Sequence, residues 1–127
     1  MTEIKDLITK ARRFVKTAEL LLEYGDCDSV ASRCYHAMLL AARALLLTKG
    51  VRPRSEKSTI MFLVEHFIQP GELDPGQGRV LRRAFELKQR GDETIELPVD
   101  REEATELLDR TMWFLDAIEG ALGSSRE

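Results

Sequence analysis

Apolar side chains return every three or four residues along most of this chain, a period that predicts helices almost throughout. From Thr2 to about Tyr24 the repeat is Ile4, Leu7, Ile8, Ala11, Val15, Ala18 and Leu22, and Gly25 ends it. A second helix, capped by Asp26 or Asp28, runs to about Lys49 and stops at Gly50, before Arg52-Pro53-Arg54. Ser55 caps a shorter helix carrying Ile60, Met61, Leu63, Val64, Phe67 and Ile68, which Pro70-Gly71 closes. In the loop that follows, Asp74-Pro75 reads as an N-cap and a first-turn proline, opening a fourth helix with Val80, Leu81, Ala84 and Leu87 inside. Asp100 and Glu103 have capping-box spacing ahead of the last helix, whose inner stripe is Ala104, Leu107, Leu108, Thr111, Leu115, Ile118 and Leu122. Only Thr94-Ile95-Glu96-Leu97 hints at a strand, and Pro98 cuts it short.

Short connections between helices make neighbours antiparallel, so the expected architecture is all-α: an antiparallel four-helix bundle with one additional short helix. A chain of 127 residues suits one domain, expected over residues 1–122, with 123–127 as a disordered tail. In the second helix Ala37, Ala41 and Ala44 are small residues that let a neighbouring helix approach closely.

That second helix is apolar almost all the way round, yet Arg33, His36 and Arg43 fall with Leu40 in roughly an 80° sector of it. Basic groups on a central helix must reach solvent along an edge or meet an anion or carboxylate. Arg33 and His36 are therefore the first candidates for a site, and the structural alternative is an ion pair or capped polar contact with an acidic residue on a neighbouring helix, such as Glu19 or Glu23. Lys88 leaves the fourth helix near its apolar face. It either snorkels to water or points into a cleft beside Arg33 and His36, with Arg90 and Asp92 at the mouth. Arg79, Arg82, Arg83, Lys88 and Arg90 make the fourth helix basic, which is either solvated charge or a phosphate-reading surface. Trp113 projects about 180° from Ala104, marking a second packing surface or a partner interface, of which a homodimer is the simplest.

Charge and composition narrow the field. A net charge of −3 gives no global attraction to nucleic acid or to an anionic membrane. Two cysteines without metal-ligand spacing suit a reduced, cytoplasmic protein, and the N-terminus resembles neither a signal peptide nor a membrane span. His36 and His66 are the only histidines and no phosphate loop or zinc motif is present, so neither a metal nor a cofactor is expected.

Four segments together resemble the HEPN superfamily of small helical bundles, in particular a prokaryotic branch encoded near minimal nucleotidyltransferases. They are Tyr35-His36-Ala37-Met38 through Leu46, Ser55-Glu56-Lys57-Ser58, Gly71-Glu72-Leu73, and Leu81-Arg82-Arg83-Ala84-Phe85-Glu86-Leu87-Lys88-Gln89-Arg90-Gly91-Asp92. The resemblance implies a dimer that partners a nucleotidyltransferase in a toxin–antitoxin-type module. It also implies RNA or nucleotide contact, for which Arg33, His36, Arg43, Lys88, Arg90 and Asp92 are the candidate residues here; Trp113 is the candidate interface residue. In the alternative, a metal-independent endoribonuclease toxin, Arg33 and His36 would be catalytic; a third reading is a purely structural interaction module. Ribonucleases of the superfamily carry an arginine separated from the histidine by four to six residues, whereas Ser29–Ala31 and Thr59–Met61 stand at those places here. The branch also has histidine at the place of Glu56, arginine at Lys88 and tyrosine at Glu93.

Overall fold

A computed structural model describes residues 2–93 and 97–125. Its helices are α1 (Thr2–Tyr24), α2 (Cys27–Leu47), α3 (Glu56–Leu63), α4 (Pro75–Glu93) and α5 (Arg101–Ser125). This is the expected bundle with its short extra helix. One feature that periodicity did not announce is a π-helical turn, Val64–Ile68, that continues α3.

Local chemistry places most boundaries. Gly25 takes φ 95° and returns its amide to the Leu21 carbonyl, the left-handed ending that an L side chain resists. Asp26 accepts from the Ser29 amide and caps α2. Ser55 and Ser58 form a reciprocal capping box at α3, as Asp100 and Glu103 do at α5. Asp28 does not cap; its carboxylate accepts from the Val99 amide at 2.8 Å and pins the segment before α5 to the start of α2. Gly91 of α4 packs tightly on the same Asp28, where a Cβ would sit 3.3 Å from the Asp28 Cα.

The expected tail is corrected in part. α5 runs on through Gly123 to Ser125. Residues 126–127 of that tail, and 94–96 of the strand hint, lie outside the described residues.

α2 is the axis of the molecule, with α1, α4 and α5 around it. Its length and composition would let it cross a membrane, but here those helices cover its apolar surface. Ala37, Ala41 and Ala44 are fully buried, as are Ala11 and Ala18 of α1. Small side chains on both helices let the axes lie close, so Ala41→Leu should overpack the core and cost about 1–3 kcal/mol. Thermal melts compare the variant with the parent; equal midpoints would mean that slack remains around Ala41.

Candidate functional site

The one incompletely covered edge of α2 carries the expected strip. Arg33 is exposed, and His36, Leu40 and Arg43 are half-buried, while Cys34, Tyr35, Ala37 and Met38 beside them are buried. The basic groups thus reach solvent along an edge, as burial energetics demanded. They do not act as one unit.

Arg33 stacks its guanidinium on Phe14 of α1, 5.1 Å from the ring centroid, and has no carboxylate partner among the described residues. Neither Glu19 nor Glu23 pairs with it among the described residues; the acidic residue of a neighbouring helix that meets this strip is Glu56, opposite His36. Around Arg33 is a polar pocket of about 470 Å³ that Thr17, Asp28, Ser32, Gly91 and Asp92 help to line.

His36 turns the other way. Its Nδ1 lies 2.8 Å from the Ser32 carbonyl oxygen, so a proton on Nδ1 donates there and Nε2 faces outward. Opposite Nε2, at 3.9 Å, is Oε2 of Glu56. The other Glu56 oxygen accepts from the buried Tyr35 hydroxyl at 3.1 Å. Burial first, and then the Glu56 charge, push the Tyr35 hydroxyl well above the ordinary tyrosine range, so it remains a proton donor. Glu56 is the hub of this cluster. Its carboxylate begins α3 directly after the Ser55 cap, at the helix end that favours negative charge.

Lys88 reaches the same neighbourhood, where it binds Asp92 one turn on at 3.0 Å. That hydrogen bond, with the nearby Glu56 charge adding to it, raises the Lys88 ammonium above its usual value. Arg43 completes the edge: its charge reaches Tyr35, and its buried Nε has no hydrogen-bond partner among the described residues.

Arg90 does not belong with these residues. It pairs with Glu103 of α5, which Arg83 also holds at 3.1 Å. Burial alone would raise the Glu103 carboxyl, but the Asp100 amide, Arg90 and Arg83 together bring it below its usual range. The reason is angular: Lys88 and Arg90 leave one helix about 200° apart, so one faces α3 and the other α5. The basic fourth helix is thus two separate surfaces rather than a single phosphate-reading stripe.

Beside the Glu56 cluster opens a groove of about 910 Å³, walled by Tyr35, Ile60, Met61, Val64 and Phe85 among others. The π turn supplies part of this wall through Val64 and Glu65. Trp113 stands elsewhere, 41% exposed in a furrow between α4 and α5. Among the described residues, no three His, Cys, Asp or Glu side chains gather as a metal would need.

Glu56 and Tyr35 are the site residues that sequence reasoning passed over. Both stood inside the segments carrying the family resemblance, but contact between α2 and α3 is not written in either segment alone.

Comparison with known proteins bears on the fold and the family. A protein of Methanocaldococcus jannaschii named "Putative toxin" is 30% identical over 120 residues, covering 94% of this chain and 89% of the relative. A UPF0332 protein of Archaeoglobus fulgidus is 29% identical over 126 residues, 99% of this chain and 100% of the relative. A crystal structure from Thermus thermophilus superposes with a TM-score of 0.74 at 22% identity, covering 95% of this chain and 99% of that one. At that identity the likeness is one of fold. Residues 4–121 match the HEPN domain, and the chain belongs to the HEPN domain family.

Proposed function

We propose that this chain is the HEPN component of a toxin–antitoxin-type module, a cytoplasmic dimer that works by binding a minimal nucleotidyltransferase and does not itself cleave RNA. The toxin names of its Methanocaldococcus jannaschii relatives support the module. The observation that carries the non-catalytic reading is the Glu56 carboxylate 3.9 Å from His36 Nε2.

Metal-free RNA cleavage needs a histidine that moves a proton beside cations that hold the phosphate. Here the group facing the free imidazole nitrogen is an anion. Two like unit charges about 4 Å apart repel by roughly 1 kcal/mol in water and about 4 kcal/mol near a protein surface. Of the cations that might compensate, Lys88 is paired with Asp92, and Arg33 lies over the Phe14 ring, away from the side to which His36 turns. RNA or nucleotide contact in this reading falls to Arg33 and Arg43, the two cations of the strip that hold no carboxylate. Such contact should weaken steeply with added salt.

Incubation of the purified chain with RNA, alongside His36→Ala, tests the catalytic half. No cleavage above background is expected from either protein. Reproducible cleavage lost in His36→Ala would establish the endoribonuclease instead, with Arg33 and His36 catalytic. Identifying the adjacent gene and co-purifying this chain with any minimal nucleotidyltransferase encoded there tests the partner, and failure to form a stable complex would remove that part.

A further inference from the structure

One wall of the groove beside the Glu56 cluster is a single helical face. Lys57, Ile60, Met61, Val64 and Glu65 recur at three-and-four spacing along α3 and its π turn, and Arg82 and Phe85 join them from α4. Met61 is 53% exposed, one of the large apolar side chains that the fold leaves in solvent. Lys57 and Glu65, on either side of it, are exposed and form no ion pair among the described residues.

The order of charge along this face points to its occupant. Lys57 precedes Met61 by four residues and Glu65 follows it by four, so a cation and an anion flank the methionine, each about 6 Å away along the helix. Turned end for end, the face reads anion, apolar, cation. A two-fold axis through Met61 does that turning: two copies of α3 run antiparallel, the methionines meet, and each Lys57 faces the partner's Glu65. The stripe then leaves no charge over. The groove's other two charges, Glu56 and Arg82, are also of opposite sign, so it has no net field to draw a polyanion or a strongly acidic or basic segment.

We propose that this face is the interface between two copies of the chain, with Met61 at the two-fold axis and Lys57 paired with the partner's Glu65. Each Met61 then enters the other copy's groove, where its thioether packs against Phe85. The inference rests on the dimer of the proposed function and adds where the two copies meet. Tyr35 and Glu56 line the same groove, so the second copy closes that side of the Glu56 cluster.

Sedimentation of the full chain over a range of concentrations tests the interface, and the parent should dimerise. Lys57→Glu sets glutamate against glutamate at both ends, and Glu65→Lys sets lysine against lysine, so each should weaken the dimer about tenfold or more. The distinguishing result comes from mixing the two variants. Opposite charges then face each other at both ends, and the mixed dimer should be as tight as the parent's. Lys57→Glu combined with Glu65→Lys in one chain should recover it likewise. Met61→Asp places two carboxylates at the axis and should abolish the dimer. These side chains are exposed, so the variants should keep the parental melt.

A dimer untouched by Met61→Asp and by both reversals would overturn this interface while the dimer itself stands, and its loss in Trp113→Ala would move the interface to the α4–α5 furrow. Weakening without recovery in the mixture would reject the pairing of Lys57 with Glu65. A parent that stays monomeric at every concentration would overturn both this interface and the dimer of the proposed function. If Met61→Asp then broke a complex with a nucleotidyltransferase, the face would belong to that protein.

Discussion

Phe114→Ala should cost about 3–5 kcal/mol of stability, whereas Trp113→Ala, one residue away, should cost well under half of that. Phe114 is fully buried, and removing its ring leaves a cavity that a close-packed core fills only by moving its helices. Trp113 is larger but keeps 41% of its surface in solvent and contacts the first turn of α4 and Arg110. Its removal takes away a rim of apolar contact and opens no void. Urea titrations of the two variants, analysed at a common slope, give the comparison. If Trp113→Ala proved the more damaging, α5 would be held by its α4 seam rather than by the core.

Alkali should unfold the protein through two buried groups. Burial pushes the Cys34 thiol from 9.0 up to about 12, with the Thr111 hydroxyl pulling slightly the other way. Tyr35 moves in the same direction, through burial and then the Glu56 charge. A proton held more tightly in the folded state contributes stability that is complete below the unfolded value and is lost as pH rises towards the folded one. The loss should therefore begin near pH 9 with Cys34 and deepen above about pH 10 as Tyr35 joins it. For Cys34 alone it is on the order of 4 kcal/mol by pH 12. Urea midpoints at successive pH values should fall through this window, and Cys34→Ala should remove the earliest part of the decline. Midpoints flat to pH 11 would contradict the burial of these groups.

Interactions local in sequence are legible from the order of residues. Helix periods follow from the spacing of apolar residues, and Asp26, Ser55, Asp100 and Gly25 act within a turn of themselves, so their roles can be read directly. The strip of Arg33, His36, Leu40 and Arg43 proves to be the open edge of α2 for the same reason: angle around an axis is fixed by residue number. The family resemblance is likewise legible, because it too lies in the order of residues.

Matters that depend on what stands opposite are not legible in this way. Asp28 has the composition of a cap and works instead on Val99, 71 positions on, with Gly91 of α4 packed against it as well. Phe114 lies about 20° beyond Leu107 on α5, outside a stripe drawn for one neighbour, and is buried because α5 also meets α1 and α4. Lys88 and Arg90 are grouped by charge and separated by their neighbours, with Glu56 near one and Glu103 bound to the other. Helices, their ends, their faces and the family thus follow from residue order, while the choice of which carboxylate meets which cation waits on packing. Hydrogen-bond ladders and caps act over a few residues, whereas the field at His36 comes from Glu56, twenty positions on and on another helix.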